Sequence, residues 1–214
     1  MPTKKPAIFM KASNSLIARG ELIKVFGGYS ISVRYQVDQQ NFTTRLNLDL
    51  LLVLNLIMSH HHRYFVELGI SGCVLALDMT DRQLQNRLIE ERLPWTLAKS
   101  FDTSCPVSDL VELKLLPRSL FRPRDKEPNY VADELAFHLN VNDVRRQEGN
   151  SSQMIHRPAE LISFISKRIT LYPGDIILTG TPAGVGPVLP GDKLEASLLY
   201  KGKELCIMEF HVSR

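Results

Sequence analysis

Hydrophobic and polar residues alternate along several short stretches in the second half of the chain, and this period of two predicts β-strands. The predicted strands cover residues 135–141, 144–148, 193–199 and 204–212. The first two flank Asn142-Asp143, which is typical of a two-residue hairpin turn. Two short apolar runs, residues 74–77 and 176–178, have the length expected of buried strands. The second half of the chain is therefore predicted to be rich in β-structure.

Two helices are predicted beside these strands. Apolar residues spaced by three and four positions predict an amphipathic helix over residues 158–169. A second helix is predicted to begin near Thr80 and Asp81. Together these elements predict an α+β fold, a β-rich mixed and rolled sheet with flanking helices.

Three other stretches carry weaker signals. Residues 6–16 read as a strand that runs into a loop, and residues 117–130 as an exposed, charged connection. Residues 46–58 contain an uninterrupted apolar run that fits a buried helix or a buried strand equally, and it is too short to span a bilayer. Periodicity alone leaves this last choice open.

Composition narrows the classes of protein. A length of 214 residues is typical of one domain, and we expect residues 1–214 to form a single domain. The net charge of +3 comes from scattered basic residues, so we expect neither nucleic acid nor a membrane as a partner. The three cysteines are few and far apart, which favours a reducing compartment. No targeting segment can be recognised at the N-terminus. We expect a location in the cytoplasm or the mitochondrial matrix.

Glycine and proline alternate in the segment formed by residues 173–191. Gly180 and Gly184 permit a positive φ or a close approach of the backbone to a ligand, while Pro182 restricts the backbone beside the Thr181 hydroxyl. The same pattern also fits a structural turn cluster that links two strands. The segment contains neither Gly-x-Gly-x-x-Gly before a helix nor Gly-Lys-Ser/Thr, so it supports neither a dinucleotide site nor a P-loop.

Four polar residues between positions 78 and 99 are candidates for a site. Asp78 closes the predicted strand at 74–77, where a carboxylate can bind a cation or cap the next helix. Arg82 and Gln85 share one helix face and can reach a ligand beside Asp78, or they are ordinary surface residues. Lys99 lies among apolar neighbours, where it binds an anion or extends its ammonium to the surface.

Three runs of sequence resemble the fumarylacetoacetate hydrolase family. They are the glycine–proline segment, Gly-Cys-Val-Leu-Ala-Leu-Asp-Met-Thr-Asp-Arg-Gln-Leu-Gln at residues 72–85, and Leu-Pro-Trp-Thr-Leu-Ala-Lys-Ser-Phe-Asp-Thr-Ser-Cys-Pro at residues 93–106. The last run is similar to the acylpyruvate hydrolase and oxaloacetate decarboxylase branch. The resemblance is strong over residues 72–212 and weak over residues 6–17.

The resemblance implies a catalytic domain that forms a homodimer and uses Mg²⁺ or Mn²⁺ to cleave a carbon–carbon bond in a small anionic keto acid. The cation would stabilise an enolate in acylpyruvate hydrolysis or oxaloacetate decarboxylation. By the same resemblance Asp78 is a metal ligand, and Lys99 with Arg82 holds the anionic ends of the substrate. Gln85 and Thr181 orient the substrate, and Gly180 lines the site.

The chain departs from the family pattern in residues 30–63. The family has a Glu-x-Glu pair of metal ligands there, and its usual spacing from Asp78 falls on Asn47 and Asp49, which offer less charge and shorter reach. With a suitable choice of codons, Thr43 to Asp49 read one base out of register encode His-Glu-Val-Glu-Leu-Gly. We therefore interpret residues 30–63 as a divergent, frameshifted segment, in which His60, His61 and His62 fit a solvated loop better than a metal site.

The family also has a His and Glu proton-transfer pair before the strand that residues 6–16 resemble, and this sequence begins after that position. An alternative function follows from both departures. The chain is then a catalytically inactive member of the family, either a damaged gene product or a binding module that has kept the fold.

Overall fold

The computed structural model describes residues 8–24, 48–54, 70–121 and 135–214. Asn47 and the three adjacent histidines lie outside these ranges, as does all of the divergent segment except residues 48–54. Within the described residues the strands are β1 (Leu16–Ile17), β2 (Leu22–Lys24), β3 (Leu48–Leu54), β4 (Ile70–Leu77), β5 (Cys105–Pro106), β6 (Val111–Glu112), β7 (Leu135–Val141), β8 (Val144–Asn150), β9 (Ile176–Leu178), β10 (Lys193–Tyr200) and β11 (Lys203–Ser213). The α-helices are α1 (Arg82–Glu90), α2 (Thr96–Lys99) and α3 (Pro158–Ser166).

The strands form one large sheet, one smaller sheet and a short pair. The large sheet has the order β2-β11-β10-β7-β8, and it is mixed because β2 runs parallel to β11 while the other neighbours are antiparallel. The smaller sheet has the order β6-β4-β3-β9, and β1 pairs in parallel with β5. None of these sheets closes into a barrel within the described ranges. The predicted β-rich, mixed α+β fold is confirmed.

The hairpin between β7 and β8 follows directly from its two turn residues. Asn142 and Asp143 both have left-handed backbone angles, with φ of 50° and 62°. A type I′ turn requires this conformation at both positions, and asparagine and aspartate tolerate it better than most residues. The turn places Val141 opposite Val144, and the predicted hairpin is confirmed.

Strand β4 is buried on both faces, and its alternation separates two apolar clusters. Cys73, Leu75 and Leu77 belong to the main core, together with inward-facing residues of β7, β10 and β11. Val74 and Ala76 point the other way into a smaller cluster, which includes Cys105 and the flanking residues Ile176 and Leu178 of β9. Because side chains of a strand alternate between its faces, the even-numbered positions of β4 and β9 share one face of the smaller sheet.

Strand β3 lies between β4 and β9, so the ambiguous apolar run at residues 50–54 is part of a strand. Leu51 pairs with Val74 on one side and with Leu178 on the other, and both pairings are antiparallel. Consequently β4 and β9 run in the same direction. Their C-terminal ends meet at one edge of the sheet, beside the start of β3.

Two weaker predictions were wrong in their described parts. Residues 8–12 form no strand. A 3₁₀ turn at Ser13–Ser15 follows them and leads into the two-residue strand β1. The connection predicted to be exposed at residues 117–130 contains a 3₁₀ turn, Arg118–Phe121, whose Leu120 and Phe121 are buried in the main core. The burial of these two apolar side chains therefore keeps the start of this stretch in the core, although the stretch is rich in proline and charged residues.

The helices follow their sequence signals, with small differences in length. Helix α3 begins at Pro158 as predicted, since proline is well suited to the first helical position. It ends at Ser166 rather than at residue 169, because the amides of Arg168 and Ile169 both bond back to Ile165 in a closing turn. No helix in the described ranges has the length and apolar character needed to cross a membrane.

Candidate active site

Asp78 follows the last residue of β4 and is buried, with 1% of its surface exposed. The next helix is capped by a different aspartate, since the Asp81 carboxylate accepts a hydrogen bond of 2.8 Å from the Leu84 amide. The interpretation of Asp78 as a helix cap is therefore wrong. A buried carboxylate must be paired or hydrogen-bonded, so its neighbours define the site.

Lys99 ends the short helix α2, and its side chain is fully buried. Its Nζ donates a hydrogen bond of 2.8 Å to Asp78 Oδ2 and lies 4.3 Å from the centroid of the Phe9 ring. The aromatic face and the carboxylate both stabilise a positive charge away from water. The alternative, a lysine that extends its ammonium to the surface, is excluded.

Lys11 contacts the other oxygen of the same carboxylate, with its Nζ 2.8 Å from Asp78 Oδ1. The three hydrogens of this ammonium are engaged by three backbone carbonyls, those of Lys99 at 2.6 Å, Ser104 at 2.9 Å and Met79 at 3.1 Å. The same Nζ lies 3.3 Å from Ser104 Oγ, so Lys11 is surrounded by oxygen atoms. This buried group, which we call the Asp78 cluster, consists of Asp78, Lys11 and Lys99, with two ammoniums around one carboxylate.

Helix α1 places Arg82 and Gln85 four and seven residues beyond Asp78. Gln85 is buried, and its Oε1 accepts a hydrogen bond of 2.5 Å from Arg82 Nη1. Helix α1 packs against α2, which carries Lys99. Gln85 is therefore not a surface residue, and its contact orients the Arg82 guanidinium along the same side of the helix.

The glycine–proline loop that follows β9 is fixed against β8. Gly180 has a φ of 107° and Gly184 a φ of 94°, and glycine adopts this region most readily. A Cβ at Gly184 would lie 2.0 Å from the Arg146 carbonyl oxygen, so only glycine fits this close approach. Gln147, which is 1% exposed, donates from Nε2 to Thr181 Oγ1 at 3.0 Å and to the Pro182 carbonyl at 3.2 Å.

The strand register brings the two halves of the site to one edge. Val74, Leu51 and Leu178 form one row across the sheet, and Ala76 and Asp49 are paired two residues further along. The same register carried past the end of β9 places Gly180 in line with Asp49 and Ala76. Neighbouring strands are about 4.8 Å apart, so Asp78 and the glycine–proline loop follow strands separated by about 10 Å.

The oxygen and nitrogen ligands of the described residues are not grouped to surround a divalent cation. Within the described residues, no three His, Cys, Asp or Glu side chains are grouped as a metal site. Asp78 is a single carboxylate with an ammonium at each oxygen, and hard cations require about six oxygen ligands. Of the other predicted ligands, Asp49 lies on β3 at the same edge, and Asn47 falls outside the described ranges.

Two of the three cysteines are unsuited to covalent catalysis. Burial raises the pKa of the Cys73 thiol in β4, and burial likewise raises the pKa of the Cys206 thiol in β11. Both thiols are therefore held in the neutral form at physiological pH. Since the thiolate is the nucleophilic form, neither residue is suited to covalent catalysis.

Two residues of the site were missed by sequence reasoning. Lys11 lies at the end of a short apolar run, as Lys99 does, but its partners are 67 to 93 positions away in the sequence. Gln147 occupies an inward position of β8, where the alternation of the strand calls for an apolar side chain. A polar residue at an inward strand position was the available signal for Gln147, and the apolar run before Lys11 was the available signal for that lysine.

The fold and this site define a class of enzymes. A family model described as fumarylacetoacetate (FAA) hydrolase C-terminal matches residues 1–213, and the chain belongs to this family. It is 36% identical over 198 residues to the mitochondrial oxaloacetate tautomerase FAHD1 of Homo sapiens, covering 91% of this chain and 76% of that protein. It is also 36% identical to the mitochondrial oxaloacetate tautomerase FAHD2 of Oryza sativa subsp. japonica, with the same coverage of 91% and 76%.

A solved structure supports the same assignment. The crystal structure of yeast ynq8, a fumarylacetoacetate hydrolase family protein, matches with a TM-score of 0.78 at 28% sequence identity. The match covers 96% of this chain and 84% of that chain. The family that the sequence resembles is therefore confirmed.

We predict that the Asp78 cluster is essential for stability. Lys11→Met leaves three backbone carbonyls without their donor and removes one partner of a buried carboxylate, so the free energy of unfolding should fall by about 3–5 kcal/mol. Urea denaturation followed by circular dichroism measures this change. Lys114→Met is the matched control, because Lys114 pairs with Glu112 on the surface and surface pairs contribute little. Equal stability of the two variants would contradict the prediction.

Proposed function

We propose that this chain acts on a small anionic keto acid, oxaloacetate or an acylpyruvate, through an enolate. The observation that carries the proposal is the pair of buried ammoniums in the Asp78 cluster, at the sheet edge where the glycine–proline loop also begins. Buried ammoniums favour an anion, and they favour most a state in which negative charge has moved onto oxygen. Two of the relatives are named oxaloacetate tautomerases, and oxaloacetate is a small anionic keto acid.

The roles proposed for individual residues follow from their chemistry. Lys99 holds an anionic oxygen of the substrate, and Arg82 holds the opposite anionic end with its guanidinium. Gln85 orients Arg82, since the two side chains are hydrogen-bonded. Thr181 donates its hydroxyl hydrogen, and Gly180 lets the backbone approach closely at the other side of the site.

An enolate links the candidate reactions. Tautomerisation of oxaloacetate moves a proton from carbon C3 to the C2 oxygen, or back, through the enolate, with solvent water carrying the proton between the two atoms. Decarboxylation breaks the bond to a carboxylate, releases CO₂ and leaves the electron pair on the enolate, which a proton then converts to pyruvate. Both reactions mainly require that the enolate be stabilised, and a fixed ammonium supplies that stabilisation.

Hydrolysis of an acylpyruvate demands more of the site, because a base must activate water. Both oxygens of the buried Asp78 carboxylate already contact an ammonium, so Asp78 is not placed to activate water. We therefore place acylpyruvate hydrolysis second to the reactions of oxaloacetate. We further propose one catalytic domain, a homodimer, and a location in the cytoplasm or the mitochondrial matrix, as the named relatives are mitochondrial.

Family resemblance implies Mg²⁺ or Mn²⁺, with Asp78, Asp49 and Asn47 as the oxygen donors. When bound, such an ion would act as a Lewis acid on the keto-acid oxygens. The described donor set offers little to hold it, since the single carboxylate already faces two positive charges. We propose that any divalent cation is bound weakly by this chain.

The second candidate function is a binding protein without turnover. The absence of Glu-x-Glu from the sequence favours it, because the missing pair would supply two strong oxygen ligands. Such a protein would bind a keto acid or its analogue and leave it unchanged. Parallel binding and turnover measurements therefore separate the two functions.

We expect measurable consumption of oxaloacetate and no measurable hydrolysis of acetylpyruvate, because only the second reaction needs an activated water. A reaction whose water is not activated by a positioned base is typically slower by a factor on the order of 10²–10⁴. Ultraviolet absorbance of each substrate follows both reactions.

Replacing residues 43–48 with His-Glu-Val-Glu-Leu-Gly should raise both rates by restoring the carboxylate pair. Lys99→Met serves as the inactive control. Rapid acetylpyruvate hydrolysis by the unaltered chain would contradict the expectation that the reactions of oxaloacetate are faster.

Binding of Mg²⁺ provides a test that does not depend on turnover. Calorimetric titration should give weak binding to the unaltered chain, and the same replacement of residues 43–48 should strengthen it. Asp49→Ala should abolish the remaining binding if the β3 residue supplies an oxygen. Tight, stoichiometric binding that survives Asp49→Ala would mean that the proposed ligands are not those that hold the ion.

A further inference from the structure

Gln147 is buried beneath the glycine–proline loop, and none of the roles above includes it. Its Nε2 faces three acceptors of one short segment, Thr181 Oγ1 at 3.0 Å, the Pro182 carbonyl at 3.2 Å and the Ala183 carbonyl at 3.5 Å. The loop also packs closely here, since a Cβ at Gly149 would lie 2.9 Å from Pro182 Cβ. Strand β8 therefore supports the loop through one amide group.

The two carbonyls decide the orientation of the Gln147 amide. A carbonyl oxygen can only accept a hydrogen bond, so the end of the amide that faces Pro182 and Ala183 must be its NH₂ group. The Thr181 oxygen contacts the same NH₂ group and must therefore accept a hydrogen from it. The chemistry of the acceptors excludes the flipped amide, in which its oxygen would face both carbonyls.

This arrangement determines what Thr181 can do. A hydroxyl that accepts one hydrogen bond still has its own hydrogen to donate. Within the described residues, no acceptor takes that hydrogen, and Thr181 is partly exposed at the edge of the sheet. The hydrogen is therefore available to a ligand.

We propose that Gln147 is a positioning residue that makes Thr181 a donor to an anionic oxygen of the substrate. This inference rests on the proposed function, because it takes the ligand to be a keto acid or its enolate. A site with an ammonium on one side and a hydroxyl donor on the other would prefer ligands whose facing atoms are all acceptors.

Oxalate is a suitable probe, because it is a planar dianion that resembles the enolate and cannot react. We expect Gln147→Glu, which has nearly the same shape but presents oxygens to the loop, to weaken oxalate binding about ten- to a hundredfold. Thr181→Val should cause a similar loss, whereas Thr181→Ser should retain binding because it keeps the hydroxyl. Gln83→Glu, on the exposed face of α1, introduces the same change in charge and should have little effect.

A double-mutant cycle distinguishes positioning from a general structural role. If Gln147 acts through Thr181, the variant with both Gln147→Leu and Thr181→Val should bind oxalate no more weakly than either single variant. The KM for oxaloacetate should rise by the same factor in the three variants, while kcat changes less. Independent, additive losses would overturn the proposal, as would unchanged affinity in the folded Gln147→Glu variant. Failure of the unaltered chain to bind oxalate would instead overturn the proposed function, and this inference with it.

Discussion

The pairing of one buried carboxylate with two ammoniums is the interaction on which this site depends. Asp78 joins the end of β4 to Lys11 near the N-terminus and to Lys99 at the end of α2. Lys11 in turn binds the carbonyls of Met79, Lys99 and Ser104, so it fixes three separate turns of the backbone. Removal of either lysine would leave a buried charge with too few partners, which is one of the most destabilising changes a core can suffer.

The same cluster links stability to function through its charge. Its two ammoniums would attract an anion and repel a divalent cation. The proposed affinity for an anionic keto acid and the proposed weak binding of Mg²⁺ would therefore have a common electrostatic cause.

Strand β3 lies between β4 and β9 and so places the glycine–proline loop at the same sheet edge as Asp78. Because both neighbours pair with β3 in the antiparallel sense, their C-terminal ends emerge together. The loop after β9 is then held by Gln147 and by the close approach at Gly184. Rigid strands therefore position both parts, and binding energy need not be used to order the loop.

Local patterns predicted most of this architecture. The strands of the second half, the hairpin at Asn142 and helix α3 were recognised because alternation, turn chemistry and an N-terminal proline are each read from neighbouring residues. Lys11 was not assigned to the site, since its partners are distant in the sequence and its own neighbours give no hint of them. For Asp78 the sequence left capping and binding open, and only the observed cap at Asp81 excluded the first.

The central claim is that a small dianion binds between the Asp78 cluster and the glycine–proline loop. A crystal structure of the chain with oxalate tests it most directly. We expect the oxalate to lie with one carboxylate within hydrogen-bonding distance of Lys99 Nζ and an oxygen near Thr181 Oγ1. Oxalate bound at another surface, or no ordered oxalate at saturating concentration, would contradict the account.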